Sequence, residues 1–265
     1  MQNYAFESVQ LGAIAKKVRL ELVKLCRFGN SGHLSSCLSC VEILVSLYFS
    51  KMNHDDKFIL SKGHAAPLLY VVLSERGIMP KGRLSTYKRI GGLEEHPLFG
   101  EGIEVPTGSL GQGISVANGL ALAKRLDKDG GRIYVLLGDG ECDEGQIWES
   151  AATASKYSLS NVTAIIDRNR VQSDGPTEEI KQKNDLADKF KAFGWEVIIA
   201  DGNDFSSLEK ALSAESEKPK VIIANTIRGK GVSFIEENPR YYYGTMSSSD
   251  FDGAIKELEA AIWQR

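Results

Sequence analysis

The sequence offers few covalent or metallic staples. It has four cysteines in 265 residues, Cys26, Cys37, Cys40 and Cys142, too few and too unevenly spaced for a disulfide framework in a chain of this size. They read as free thiols. Cys37 and Cys40 have the spacing of half a zinc site, but no second pair of Cys or His ligands occurs at a matching interval, so small core-facing thiols are the plainer reading. Nor does any apolar run approach the roughly 18–20 residues that span a bilayer. Met1 to Gln10 lack a basic flank followed by an apolar stretch, so no secretory signal is expected and the expected compartment is the cytoplasm. Charge of one sign is missing too: 32 basic against 35 acidic side chains leave a net charge of −3. That balance gives no strong field toward a nucleic acid or an anionic membrane. Internal repeats and low-complexity linkers are also absent.

What remains is an ordinary globular mixture, 42% hydrophobic and 25% charged. The apolar positions Leu11, Ile14, Val18, Leu22 and Leu25 recur at helical spacing from Glu7 to Arg27, before Gly29. Further helical patterns cover Val41–Phe49 and, after the short apolar run Phe58–Leu60, Ala65–Arg76. Met79 to Val105 is rich in glycine and proline and reads mostly as loop. Beyond it the pattern alternates. Ile133–Leu137, Val162–Ile166, Trp195–Ala200 and Val221–Ala224 are short runs rich in Val and Ile that read as buried strands. Helical stretches over Leu110–Leu126, Glu144–Tyr157, Leu186–Phe193 and Leu208–Ala214 separate them, and Phe251–Trp263 supplies a last helix. Strand and helix in alternation predict an α/β fold: a doubly wound, mostly parallel sheet with helices on both faces. One such domain accounts for residues 1–265.

Ligands bind such sheets beyond the carboxyl ends of the strands. Ile133–Leu137 runs straight into Gly138-Asp139-Gly140, a carboxylate between two residues that permit close backbone approach. Val162–Ile166 ends in Asp167-Arg168-Asn169-Arg170-Val171, placing Asn169 one strand-to-strand crossover beyond Asp139. Asp139, Asn169 and the Val171 carbonyl offer three oxygen donors of the kind that hold Mg²⁺ alongside phosphate and water. Two plainer readings stand beside this one: Gly-Asp-Gly also makes turns, and Asn169 also suits a turn cap before Asp174-Gly175.

Gly138-Asp139-Gly140, Glu141, Glu144-Gly145, Trp148-Glu149 and Asn169 together resemble the thiamine diphosphate motif of the transketolase family. Three further segments resemble that family in the same order: Ser31-Gly32-His33, Ser61-Lys62-Gly63-His64-Ala65-Ala66 and Gly108-Ser109-Leu110-Gly111-Gln112-Gly113. The similarity runs from about residue 10 to about residue 245. It implies thiamine diphosphate and Mg²⁺ as cofactors, the ion held by Asp139, Asn169 and Val171. Gly140 and His64 are then expected at the diphosphate, and Gly108, Ser109 and Leu110 beside the aminopyrimidine. Glu144 and Glu149 fall where the family has acids near the interface joining two cofactor sites, and Glu144 is counted with the cofactor-binding residues. His33 and His96 are expected to face the reacting sugar, where a neutral imidazole can take or give a proton near pH 7. His54, in a polar run outside every motif, is set aside.

The resemblance also implies what is absent. Transketolases continue into a pyrimidine-binding domain and a C-terminal domain, which supply the glutamate for the aminopyrimidine and the basic residues for the substrate's anionic end. This chain resembles the N-terminal subunit of a split transketolase, active only with a second polypeptide, the implied assembly being a heterotetramer of two such pairs. Two departures stand out. Tyr241-Tyr242-Tyr243-Gly244 replaces the family's aromatic-His-Gly, so that Tyr243, a phenol of ordinary pKa near 10, stands where a cofactor-binding imidazole is usual. Leu34-Ser35-Ser36 replaces Pro-Gly-Gly after His33. Rival readings are a subunit of a 2-oxo acid dehydrogenase, a fragment resembling deoxyxylulose phosphate synthase, or a cofactor-binding scaffold without turnover.

Overall fold

A computed structural model describes residues 8–183 and 185–263; Glu7, the expected first residue of the first helix, lies outside them. The amphipathic pattern forms helix α1 (Ser8–Gly29), which buries Leu11, Ala15, Val18, Leu22 and Leu25 along one stripe. Two short helices follow, α2 (Leu34–Leu38) and α3 (Val41–Ser46), and the latter runs into a π-helical turn over Leu47–Lys51. Nothing in the apolar periodicity signals α2 or that widened turn.

The frame is a five-stranded, all-parallel sheet. Its strands are β1 (Lys57–Leu60), β2 (Ile133–Gly138), β3 (Val162–Arg168), β6 (Glu196–Asp201) and β7 (Lys220–Asn225), in the order β1-β2-β3-β7-β6. A two-stranded antiparallel ribbon, β4 (Val171–Gln172) with β5 (Gly175–Pro176), lies just beyond β3. The four expected strands are present within two residues of their expected ends, and Phe58–Leu60 adds a fifth that its local pattern does not assign. Three apolar residues are too few to show a period; pairing with β2, Phe58 to Tyr134 and Leu60 to Leu136, is what makes them a strand.

Both faces of the sheet are covered. Leu136, Ile165 and Ile222 join one apolar cluster with α1, α3, α4 (Ala66–Glu75), α9 (Phe205–Ser213) and α10 (Ser248–Trp263). Their neighbours along the strands, Val135, Ala164, Ile166 and Val221, join a second cluster with α5 (Gly113–Leu126), α6 (Gly145–Lys156) and α8 (Leu186–Ala192), while the single-turn α7 (Thr177–Ile180) follows β5. This is the period-2 alternation of a strand covered on both sides. Helix starts follow their capping residues. Asp204 accepts from Ser207 N at 2.8 Å at the head of α9, and Asp185 accepts from Ala187 N at 2.8 Å at the head of α8. The segment expected to be mostly loop contains only a 3₁₀ stretch, Lys81–Thr86, and a single bridge between Gly100 and Ile103.

For the site the decisive feature is register. Gly138 of β2 pairs with Asp167 of β3, and Arg168 of β3 pairs with Asn225 of β7, so the residues following these strands emerge side by side. Ile165, 1% exposed in the central strand, tests the frame: Ile165→Ala is expected to lower the unfolding free energy by about 2–5 kcal/mol, measured by urea denaturation.

Candidate active site

The ends of β1, β2, β3 and β7 surround a cavity of about 420 Å³. Asp139 follows β2 and is 2% exposed. Its carboxylate accepts from Gly140 N at 2.8 Å and from Arg170 N at 2.7 Å. No basic side chain pairs with it among the described residues. Burial, reinforced by the neighbouring Asp167 charge, pushes its pKa up to about 6. Asp167, fully buried, has the opposite surroundings. It accepts from Lys62 Nζ at 2.5 Å, Ser39 Oγ at 2.5 Å, Asn169 Nδ2 at 3.1 Å and Thr226 Oγ1. Burial alone would raise its pKa; the Lys62 charge and these hydrogen bonds overcome that and hold the carboxyl below its ordinary value. Burial likewise opposes the Lys62 charge, but Asp167 raises the ammonium pKa above normal.

Asn169 is positioned by this pair. Its amide nitrogen points to Asp167, and its Oδ1 accepts from Val171 N at 3.1 Å. The Val171 carbonyl accepts from Arg228 Nη1 at 3.0 Å. Both oxygens keep a second lone pair. One unpaired buried carboxylate beside an amide oxygen and a carbonyl oxygen suits a hard divalent cation, and the structure thus fits Mg²⁺ at Asp139, Asn169 and Val171. Among the described residues no three His, Cys, Asp or Glu side chains gather at a point, so the other positions around such an ion fall to phosphate and water. A further buried acceptor, Gln172 Oε1, has no hydrogen-bond partner among the described residues and belongs to a residue lining the cavity beside Gly140.

Three histidines share the cavity wall. The rings of His33 and His64 lie 5.2 Å apart, and those of His33 and His96 6.5 Å apart. His64 Nε2 is 2.8 Å from Ser36 Oγ. Burial, with the Lys62 charge second, holds the His64 imidazole well below its ordinary pKa. Burial also lowers that of His33, against the opposing pull of Glu95. His96 packs its ring over Gly108. The neutral imidazoles of His33 and His64, which line the same cavity as Asp139, are equipped to pass protons rather than to bind anions by charge.

Of the residues singled out from sequence, His33, His64, His96, Gly108 and Leu110 line the cavity, as do Asp139, Gly140, Glu144, Asn169 and Val171. Ser109 is exposed and outside the lining. Tyr243 is 60% exposed and reaches the group through His33, ring to ring at 5.1 Å. His54 is exposed and bonded to Asp55. Cys37 and Cys40 are buried thiols, each pushed up to about 12 by burial. Sequence reasoning misses Lys62, Glu141, Asp167, Gln172 and Arg228 as members of the site. Lys62 and Glu141 stand inside recognisable motifs, and Arg228 follows β7 by three positions, so extending the strand-end rule to every strand finds it.

A doubly wound sheet whose strand ends gather buried oxygen donors, glycine turns and neutral imidazoles is suited to a phosphate-bearing ligand. Likeness to known proteins says which one. The family described as "Transketolase, thiamine diphosphate binding domain" matches residues 12–250. The chain is 39% identical over 274 residues to one of the named subunits of the apulose-4-phosphate transketolase of Actinobacillus succinogenes, covering 98% of this chain and 99% of that one. It is 40% identical over 257 residues to the SqwG subunit of the 6-deoxy-6-sulfo-D-fructose transketolase of Clostridium sp., covering 91% and 93%. The solved transketolase of Campylobacter jejuni superposes with a TM-score of 0.87 at 26% identity over 96% of this chain, which spans 43% of that longer one. The chain belongs to the transketolase family and corresponds to its thiamine diphosphate-binding part.

The low His64 pKa sets a pH dependence. The unfolded imidazole titrates near 6.5 and the folded one lower, so the native state carries no penalty above about pH 6.5 and loses stability as pH falls below it. Between pH 7.5 and 5.5, His64→Gln is expected to lose less unfolding free energy than the unaltered chain, measured by urea denaturation at both pH values.

Proposed function

We propose that this chain is the N-terminal, diphosphate-binding subunit of a two-chain transketolase, a transferase that moves a two-carbon ketol unit from a ketose to an aldose. The observation that carries the proposal is the Asp139–Asn169–Val171 oxygen set at two adjacent strand ends beneath a glycine-rich turn, in a chain that aligns end to end with proteins named transketolase subunits and with less than half of the longer Campylobacter jejuni enzyme.

In this reading Asp139, Asn169 and the Val171 carbonyl hold Mg²⁺, whose charge offsets that of the diphosphate. Gly140 and His64 face the diphosphate, with Tyr243 at the outer edge. Gly108 and Leu110, with Ser109 outside the cavity, form the turn beside the aminopyrimidine. Glu144 sits where a second chain approaches. When bound, thiamine diphosphate supplies the electron sink for cleaving the carbon–carbon bond beside a ketose carbonyl. The chain's own residues orient that group, exclude water and handle protons. Half-buried and neutral, His33 can accept a proton from a substrate hydroxyl and return it, with the exposed His96 beside it at the reacting sugar.

The domain holding this site spans residues 1–265 as a single thiamine diphosphate-binding unit. The partner supplies the pyrimidine-binding and C-terminal domains, two such pairs form a heterotetramer, and the assembly works in the cytoplasm. No helix among the described residues is long and apolar enough to cross a membrane. The substrates are sugars with an anionic end, in keeping with the phosphate and sulfo groups named for two relatives.

Two outcomes are expected. The purified chain transfers no ketol unit until the partner chain is added, in an assay of aldose-dependent ketose consumption; robust transfer by the chain alone overturns the split arrangement. In the assembled complex, Asp139→Ala weakens Mg²⁺-dependent thiamine diphosphate binding by more than the roughly 10–100-fold that loss of a ligand's supporting partner costs. Isothermal titration calorimetry reads this directly, and unchanged affinity contradicts the site.

A further inference from the structure

Glu141 has a role that the functional reading leaves unassigned. It lies in the 3₁₀ turn Gly140–Asp143 after β2, is 3% exposed and borders the cavity. Both oxygens of its carboxylate accept hydrogen bonds. One oxygen accepts from Ser61 Oγ, at the end of β1, and from Gly111 N at 2.8 Å; the other accepts from Gly138 N at 3.0 Å. Three separate chain segments meet on this one side chain.

The segment that needs holding is the glycine-rich turn leading into α5. Gly111 has a φ of +79°, and a Cβ there would stand 2.8 Å from Glu144 Cβ. A Cβ on Gly113 would stand 2.5 Å from Ser61 Cβ, and one on Gly63 3.0 Å from Gly108 N. The turn therefore presses against the ends of β1 and β2 through glycines that have no side chain to grip them. At its upstream end Thr107 Oγ1 donates to the Leu60 carbonyl at 2.6 Å. Between Gly108 and Gln112, the bond from Gly111 N to Glu141 is the one side-chain tie to the sheet among the described residues. Backbone so rich in glycine has more freedom to lose than any other, so an ordered wall here depends on an external anchor. A buried carboxylate receiving two N–H donors and one O–H donor is such an anchor.

We infer that Glu141 is a positioning residue that clamps the Gly108–Gly113 turn to the ends of β1 and β2, fixing the cavity wall expected to face the cofactor's aminopyrimidine. It touches neither the cation site nor the reacting atoms; it acts through the turn. This rests on the thiamine diphosphate reading above, but the clamp itself is testable without the cofactor.

Glu141→Gln keeps the side chain's size while replacing one acceptor oxygen by an NH₂ group that meets an N–H donor head on. Two readouts separate positioning from general stability. In the cofactor-free chain, hydrogen–deuterium exchange followed by mass spectrometry is expected to quicken at least about tenfold across residues 108–113 and stay unchanged in β2 and β3. In the assembled complex, titration with thiamine diphosphate and Mg²⁺ is expected to show a dissociation constant raised about tenfold, with Tm falling by less than about 5 °C. Ser61→Ala, which removes one donor only, is expected to move both readouts in the same direction by a smaller factor, and it decides the matter should Glu141→Gln fold poorly. Unaltered exchange in the turn, or acceleration spread over the whole sheet, overturns the clamp. Faster exchange in the turn with unaltered cofactor affinity overturns its role in binding. Failure of the unsubstituted complex to bind thiamine diphosphate sinks the functional reading instead, while the exchange experiment still decides whether the clamp exists.

Discussion

Two carboxylates at the ends of adjacent strands, of which only Asp167 forms an ion pair among the described residues, set the terms for the rest of the site. β2–β3 register places Asp167 opposite Gly138, with Asp139 N donating to the Asp167 carbonyl at 3.3 Å. Lys62 neutralises Asp167 and leaves Asp139 with backbone donors alone. Burying an unpaired charge is costly, and removing a partner from a buried pair costs about 3–5 kcal/mol. The chain tolerates the arrangement because two N–H groups stabilise the Asp139 anion in part, and in the proposed function a divalent ion completes it. The difference between the two acids thus follows from where Lys62 sits: one carboxylate is ion-paired, and the other has backbone donors alone.

Around that asymmetry the polar groups form nested supports. Asp167 orients the Asn169 amide; Asn169 fixes the turn at Val171; Arg228 ties the Val171 carbonyl to Ser35 and to the Tyr242 carbonyl. Through Ser35, which donates to the Tyr241 carbonyl at 2.6 Å, and Gly244 N, which donates to Gly32 O at 3.1 Å, the segment carrying Tyr243 is strapped beside His33. The sheet supplies rigidity, and the polar chain carries it outward to the imidazoles. A site held this way loses little freedom when its ligands arrive, which is the physical content of preorganisation.

Much of this is legible in the residues alone. Apolar runs flanked by breakers identify four of five strands, and the strand-end rule leads to Asp139, Asn169 and Val171 because local pattern and ligand chemistry coincide there. Legibility fails where a residue's role is made by partners far along the chain. Lys62 and Asp167 are 105 positions apart, and Ser35 and Arg228 are 193 apart, so no local spacing reveals either contact. β1 escapes notice because its three apolar residues carry no period, and α2 because its five residues, Leu34–Leu38, owe their helix to burial rather than to propensity. Ser109 illustrates the converse: it sits inside a recognisable motif, yet its side chain falls outside the cavity lining that its neighbours Gly108 and Leu110 form.

The account depends most on where a divalent ion settles. Crystals of the assembled complex grown with thiamine diphosphate and Mn²⁺ in place of Mg²⁺ allow the ion to be located by its anomalous scattering. One peak is expected within about 2.0–2.3 Å of an Asp139 carboxylate oxygen, Asn169 Oδ1 and the Val171 carbonyl, with Asp167 still on Lys62. A peak on Asp167, or none at Asp139 while the cofactor is bound, contradicts it.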